Sequence, residues 1–216
     1  MTGKKIRVAI VDGYRLLREA LCSVLAQTSD MEVVAQAENG FEALNLAKKD
    51  NLDILILEPH LAAKDGIDLI ADLSLVAKAL PVLVLTVDTV PQNAFRLLRA
   101  GARGWLPKTV GSAEVLQAIR ALCTGSTHLP EDLRSFFVEK YLHPDPSRDP
   151  LDQLSNREFQ VMRLLATGET NREIARSLFI GVKTVDTHRA NLLKKLGLRN
   201  NVDLARFAIK TGNVAL

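Results

Sequence analysis

Residues 170–196 read TNREIARSLFIGVKTVDTHRANLLKKL, and the fold of the C-terminal third follows from this stretch. Thr170 and Glu173 stand three apart, so a hydroxyl and a carboxylate are placed to satisfy amide donors that the first turn of a helix leaves unpaired. A helix is predicted over 171–178, then a short turn containing Gly181, then a second helix over 182–196 that stops at Gly197. On that second helix Val185, Leu192, Leu193 and Leu196 form an inward apolar face. Lys183, Thr184, Asp186, Thr187, Arg189, Ala190 and Lys194 are left outside, with His188 beside them. The lengths and turn are those of a helix-turn-helix, whose second helix presents its N-terminal residues to base edges in the major groove. Lysine and arginine there suit phosphates. Asp186 suits cytosine N4, and Thr187 or Ala190 a thymine methyl. A helical bundle using the same face for protein contacts has the same pattern.

Working outward, Ser155-Asn156-Arg157-Glu158 repeats the capping signature and opens a helix over 156–167, and a last helix is predicted over 202–211, which makes a four-helix unit from 151 to 216. Its net charge is +5, against −2 over residues 131–150 and zero over residues 1–130. A small basic unit beside a neutral one points to a polyanion partner, because neutralising phosphates releases counterions. Upstream of it, residues 131–142 form one amphipathic helix and 143–150 a proline-rich acidic linker.

The first 125 residues alternate short apolar runs with helical periodicity. Strands are predicted at 6–11, 32–37, 53–57, 81–86 and 103–106, and helices at 14–26, 40–50, 66–78, 91–100 and 112–124. Runs such as Ile54-Leu55-Ile56-Leu57 are apolar throughout, as in a parallel sheet covered on both faces. The fold class is therefore α/β, a five-stranded doubly wound parallel sheet with sites at the C-terminal strand ends, followed by an all-α helix-turn-helix domain. The expected division is 1–127, a connecting 128–150, and 151–216. No apolar run approaches the roughly 20 residues of a membrane span. No export signal opens the chain, so a cytoplasmic protein is expected. Cys22 and Cys123 stand alone in helical apolar patterns and are assigned to packing.

Leu154-Ser155-Asn156-Arg157-Glu158, Thr170-Asn171-Arg172-Glu173-Ile174-Ala175 and Lys183-Thr184-Val185-Asp186-Thr187-His188 closely resemble the LuxR-type helix-turn-helix signature. The first domain resembles a CheY-like receiver, and the chain as a whole a NarL/FixJ-type response regulator. The resemblance implies a double-stranded DNA partner and a homodimer formed through the last helix, here the face with Val202, Leu204, Ala205 and Ala208. It also implies a receiver pocket made of Asp12, Gly13, Glu58, Thr86 and Lys108, with Trp105 in the place of the mobile aromatic. The family often carries lysine where this chain has Asp186.

Two pocket positions depart from the receiver pattern. Glu58 stands where the phosphorylated aspartate belongs, and Gly13 where a second metal-binding carboxylate is usual. Glutamate carries its oxygens about 1.5 Å farther out, and a misplacement of about 1 Å costs on the order of 100-fold in rate. Magnesium requires near-octahedral oxygen ligation, which Gly13 does not supply. Inefficient phosphorylation is expected, with no cofactor. Three readings remain open: Glu58 imitates phosphoaspartate by reaching Lys108, the site has decayed, or another ligand or signalling protein binds at the vacated edge or along helix 91–100. A phosphorylated regulator and a protein-titrating adaptor are the alternative functions. An enzyme is not expected, since no metal-ligand spacing or phosphate loop occurs and His60, His128, His143 and His188 are dispersed and read as surface or packing residues.

Overall fold

The computed structural model describes residues 4–49, 52–61, 64–142 and 150–213. The chain divides into compact units of residues 1–136 and 137–216.

In the first unit strands β1 (Ile6–Val11), β2 (Met31–Ala37), β3 (Ile54–Leu57), β4 (Val82–Thr86) and β5 (Gly104–Pro107) alternate with helices α1 (Arg15–Ala26), α2 (Gly40–Ala47), α3 (Gly66–Val76), α4 (Pro91–Ala100) and α5 (Ser112–Cys123). Every strand pair is parallel, in the order β2-β1-β3-β4-β5. The two-residue period of the strands sorts their apolar side chains to opposite faces. Val8, Ile10, Ile54, Ile56, Leu83 and Leu85 join Leu25, Ile119 and Leu122 in one core cluster. Leu55, Leu57 and Val84 are equally buried outside that cluster, as are Leu69 and Ile70 of α3. Sheet burial on both sides is why these strands carry no polar alternation. The strand order reverses between β1 and β3, and their C-terminal ends open there onto the crevice where ligands bind in such sheets.

Observed elements agree with the expected ones to within one to three residues, and the exact ends of the longer predicted helices are trimmed. The segment after α5 remains with the first unit: the Trp105 amide donates to the His128 carbonyl at 3.0 Å, and Gly104 bridges His128 in parallel. Residue 128 therefore extends the sheet edge instead of starting a connector. The division at 136/137 falls within α6 (Glu131–Leu142). Of the expected linker, 143–149, including His143, lies outside the described residues. Pro150 does not continue it but begins a 3-10 helix, Pro150–Gln153.

The second unit contains α7 (Asn156–Ala166), α8 (Asn171–Ser177), α9 (Val182–Leu196) and α10 (Asn201–Lys210). Both capping boxes form. The Ser155 amide donates to Glu158 Oε2 at 2.8 Å and the Thr170 amide to Glu173 Oε2 at 2.7 Å, each with the reciprocal bond from the glutamate amide. Phe159, Val161, Met162, Ile174, Val185 and Leu192 build a small core. Leu193 and Leu196 are only half-buried at its edge. Glu158 lies in that core, where Lys195 Nζ donates to its Oε2 at 2.7 Å.

Candidate functional site

Asp12 follows β1, Glu58 follows β3, Thr86 ends β4 and Lys108 follows β5, so four adjacent strand ends deliver four polar side chains to one place. Backbone bonds hold the register there: the Glu58 amide donates to the Val11 carbonyl at 2.9 Å, and the Lys108 amide to the Thr86 carbonyl at 2.7 Å. Asp65 caps α3 by accepting from the Ile67 amide at 2.9 Å. A Cβ on Gly66 would overlap the backbone of Pro59, so only glycine lets α3 start so close to the Glu58 loop.

Asp12, Glu58 and Thr86 are 3%, 4% and 0% exposed, and buried charge of this kind persists only when paired. Lys108 supplies the pairing. Its Nζ lies 2.6 Å from Asp12 Oδ2 and 2.8 Å from Glu58 Oε2. Asp12 Oδ1 accepts from the Tyr14 amide at 2.8 Å. Glu58 Oε1 accepts from the Thr86 hydroxyl at 3.1 Å and from the His60 amide at 2.9 Å. Burial pushes the Glu58 carboxyl up, but hydrogen bonds from the His60 ring, from Lys108 and from the His60 amide outweigh it and hold the group at about 2. Burial likewise disfavours the charged lysine, and bonds to Asp12 and Glu58 reverse this, so Lys108 is raised.

His60 was expected to be a surface or packing residue; it is exposed, and it also reaches the pocket. Its Nδ1 is 3.0 Å from Glu58 Oε1 and its Nε2 3.5 Å from Asp88 Oδ2. Asp88 in turn accepts from the Val90 amide and from Asn93 Nδ2 at 2.7 Å, so it anchors the start of α4. A histidine two residues beyond Glu58 was a visible signal in the sequence, whereas its link to Asp88 required the β3 and β4 ends to be side by side. Trp105 is 4% exposed, and its Nε1 has no hydrogen-bond partner among the described residues. Gly13 is exposed, and a Cβ there would meet nothing within 4 Å.

The donor set does not fit the magnesium ion that receivers of this fold hold. Lys108 occupies an oxygen of each available carboxylate, and Gly13 offers none. Among the described residues no group of three or more His, Cys, Asp or Glu is arranged to hold a metal.

In the second unit α9 carries the residues expected to read DNA. Lys183, Thr184, Asp186, Thr187, Ala190 and Lys194 are exposed, while Val185 and Leu192 are fully buried. His188 and Arg189 are half-buried, and Arg189 Nε donates to Asn201 Oδ1 at 2.7 Å, which ties its guanidinium to α10. Asp186 Oδ1 accepts from Asn171 Nδ2 at 2.6 Å. Asn191, not anticipated, is exposed at helical spacing from Thr184 and Thr187. The turn between α8 and α9 places Phe179 at φ 55°, while Gly181 at φ −72° serves as the N-cap of α9.

The expected dimer face needs correction. Leu204 and Ala208 are 0% exposed and α10 packs on α7, so both belong to the unit's own core. Val202 is exposed and Ala205 half-buried, and they remain available with the exposed Arg206. The stripe looked like one face from the sequence because core and interface share the same helical period.

A doubly wound domain with an acid-and-lysine pocket at its strand ends, followed by a helix-turn-helix unit, is the architecture of a signalling regulator in two parts. Residues 8–120 match the response regulator receiver domain family, and residues 152–208 match the luxR family of bacterial regulatory proteins. A nitrate/nitrite response regulator protein homolog of Haemophilus influenzae is 31% identical over 92% of this chain and 93% of its own length. The oxygen regulatory protein NreC of Staphylococcus aureus is 32% identical over 95% of this chain and 97% of its own. A solved structure of RcsB, described as two dimers bound to two parallel DNAs, is 26% identical with a TM-score of 0.60, over 95% of this chain and 98% of that one. The chain belongs to the response regulators of NarL/FixJ type, with a receiver domain and a LuxR-type helix-turn-helix domain. It is a DNA-binding transcription regulator and not an enzyme. No helix among the described residues is long and apolar enough to cross a membrane.

Proposed function

We propose that this chain is a cytoplasmic, sequence-specific regulator that binds double-stranded DNA as a homodimer, and that Glu58 holds its receiver in the signalling arrangement without phosphorylation. The observation that carries this reading is the carboxylate of Glu58, which meets Lys108 Nζ at 2.8 Å and the Thr86 hydroxyl at 3.1 Å at once. A phosphorylated aspartate would present its oxygens to the same lysine and hydroxyl, and the longer glutamate brings a negative oxygen to both with no added group. The burial of Trp105, 4% exposed, agrees with a switch already drawn inward. A decayed site would leave Glu58 either solvated, which its 4% exposure speaks against, or simply paired with Lys108 with no switching role, which the Glu58→Gln variant below tells apart from mimicry.

On α9, exposed Lys183, Lys194, Thr184, Thr187, Asp186 and Ala190, with His188 and Arg189 at their margin, form the DNA-reading surface. Val202 and Ala205 supply the dimer contact. The test is footprinting of selected DNA fragments by the untreated full-length chain, with and without a small-molecule phosphodonor and magnesium. The expected footprint is specific and indifferent to the donor. Glu58→Gln keeps the shape but removes the charge that pulls on Lys108, and it is expected to weaken DNA binding about tenfold, within the usual 5- to 150-fold of a coupling between sites. Equal binding by Glu58→Gln would overturn the mimicry. A donor-dependent footprint would restore an ordinary phosphorylated receiver, and no footprint at all would point to a protein-binding adaptor.

A further inference from the structure

The four residues Lys183, Thr187, Ala190 and Lys194 follow one another at helical spacing and form the centre of the exposed stripe of α9. Asp186 stands at the margin of that stripe on the side of α8, where Asn171, the first residue of α8, donates to its Oδ1 at 2.6 Å. Neither residue has a core role, since both side chains lie in an exposed pair. A carboxylate at this place is a liability near phosphates, and the only major-groove groups that favour it are amino donors on base edges.

We propose that Asn171 and Asp186 act as one reading unit that selects cytosine at a single position of each half-site, with Asp186 Oδ2 accepting from cytosine N4 and Asn171 as its positioning residue. This rests on the DNA-binding reading above and names the base it selects. Adenine also presents an amino group, but its N7 acceptor lies alongside and repels the negative carboxylate, whereas cytosine offers only a C–H there. Asn171 contributes in two ways. It fixes the rotamer of Asp186 before DNA arrives, so less side-chain freedom is lost on binding. It also satisfies Oδ1, so that only Oδ2 faces the groove and the unit asks for one donor rather than two. Asn171 thus carries sequence preference from a helix that does not itself enter the groove.

The test is selection from a random double-stranded DNA library by the full-length chain and by Asp186→Ala, Asn171→Ala and Asp186→Lys, with affinities of the best sites measured across salt. Asp186→Ala is expected to lose about tenfold of cytosine preference at one position and to leave the other positions unchanged. Asn171→Ala is expected to lose about threefold at that same position with an unchanged salt slope, a pattern that a general loosening of the domain would not produce. Asp186→Lys is expected to turn the preference to guanine and to steepen the salt slope by about one. A parent preference for adenine at the affected position would overturn the choice of cytosine. Unaltered preferences in Asp186→Ala, or a loss spread equally over all positions in Asn171→Ala, would overturn the unit while leaving specific DNA binding intact. A parent that enriches no sequence would overturn both this inference and the function it rests on.

Discussion

Replacing Lys108 by methionine is expected to destabilise the receiver by about 3–5 kcal/mol, the cost typical of removing one partner from a buried ion pair. The methionine fills most of the volume, so the loss comes from charge. Asp12 and Glu58, each with a side chain 4% exposed, would face one another without a cation. The measurement is denaturant unfolding followed by fluorescence, because the chain has a single tryptophan and Trp105 lies buried in the receiver, so the signal reports that unit alone. A shift under about 0.5 kcal/mol would mean that the pocket is solvated enough to dispense with its lysine. The pH dependence sharpens this. Glu58 is held at about 2 in the folded parent, below its unfolded value of roughly 4.3. Its contribution is therefore complete above the unfolded value and is lost as pH falls from about 5 towards 2. In Lys108→Met the Glu58 carboxylate loses the cation that helps hold it low, so mild acid is expected to weaken the variant less than it weakens the parent. Parallel acid limbs for the two proteins would count against the pairing.

The second large effect is a gain. Changing Glu58 to aspartate and Gly13 to aspartate together is expected to raise phosphoryl incorporation from a small phosphodonor, with magnesium present, on the order of 100-fold over the parent. Shortening residue 58 withdraws its oxygens from Thr86 and Lys108, and the new side chain at position 13 enters open space, where it offers an oxygen to the ion. Intact-mass measurement would read the added phosphoryl group, and footprinting would show whether DNA binding has become donor-dependent. Efficient labelling of the unaltered chain would instead show that the longer acid is no obstacle.

Much of this was legible in the residues themselves. Two hydroxyl-x-x-glutamate caps marked helix starts at 156 and 171 because capping is a local transaction between a side chain and amides three residues away. Apolar runs such as Val82-Leu83-Val84-Leu85 declared a sheet buried on both faces, and the places of Glu58 and Gly13 after β3 and β1 were plain from the order of the strands. The partners of those residues were not legible. His60 read as a dispersed histidine until the ends of β3 and β4 set it between Glu58 and Asp88. Leu204 and Ala208 read as interface until the fold buried both completely. Asn171, fifteen positions from Asp186, became its donor only when α8 was laid against α9.

The sequence alone determined the order of the elements, the two-part plan and the chemistry placed at each strand end, because periodicity and capping act over a few residues. Tertiary structure decided which charges meet, which apolar side chains are already spent in the core, and which oxygen of Asp186 already has a donor. Those outcomes depend on distances of 2.6–3.5 Å between residues far apart in the chain, and no local pattern encodes such distances.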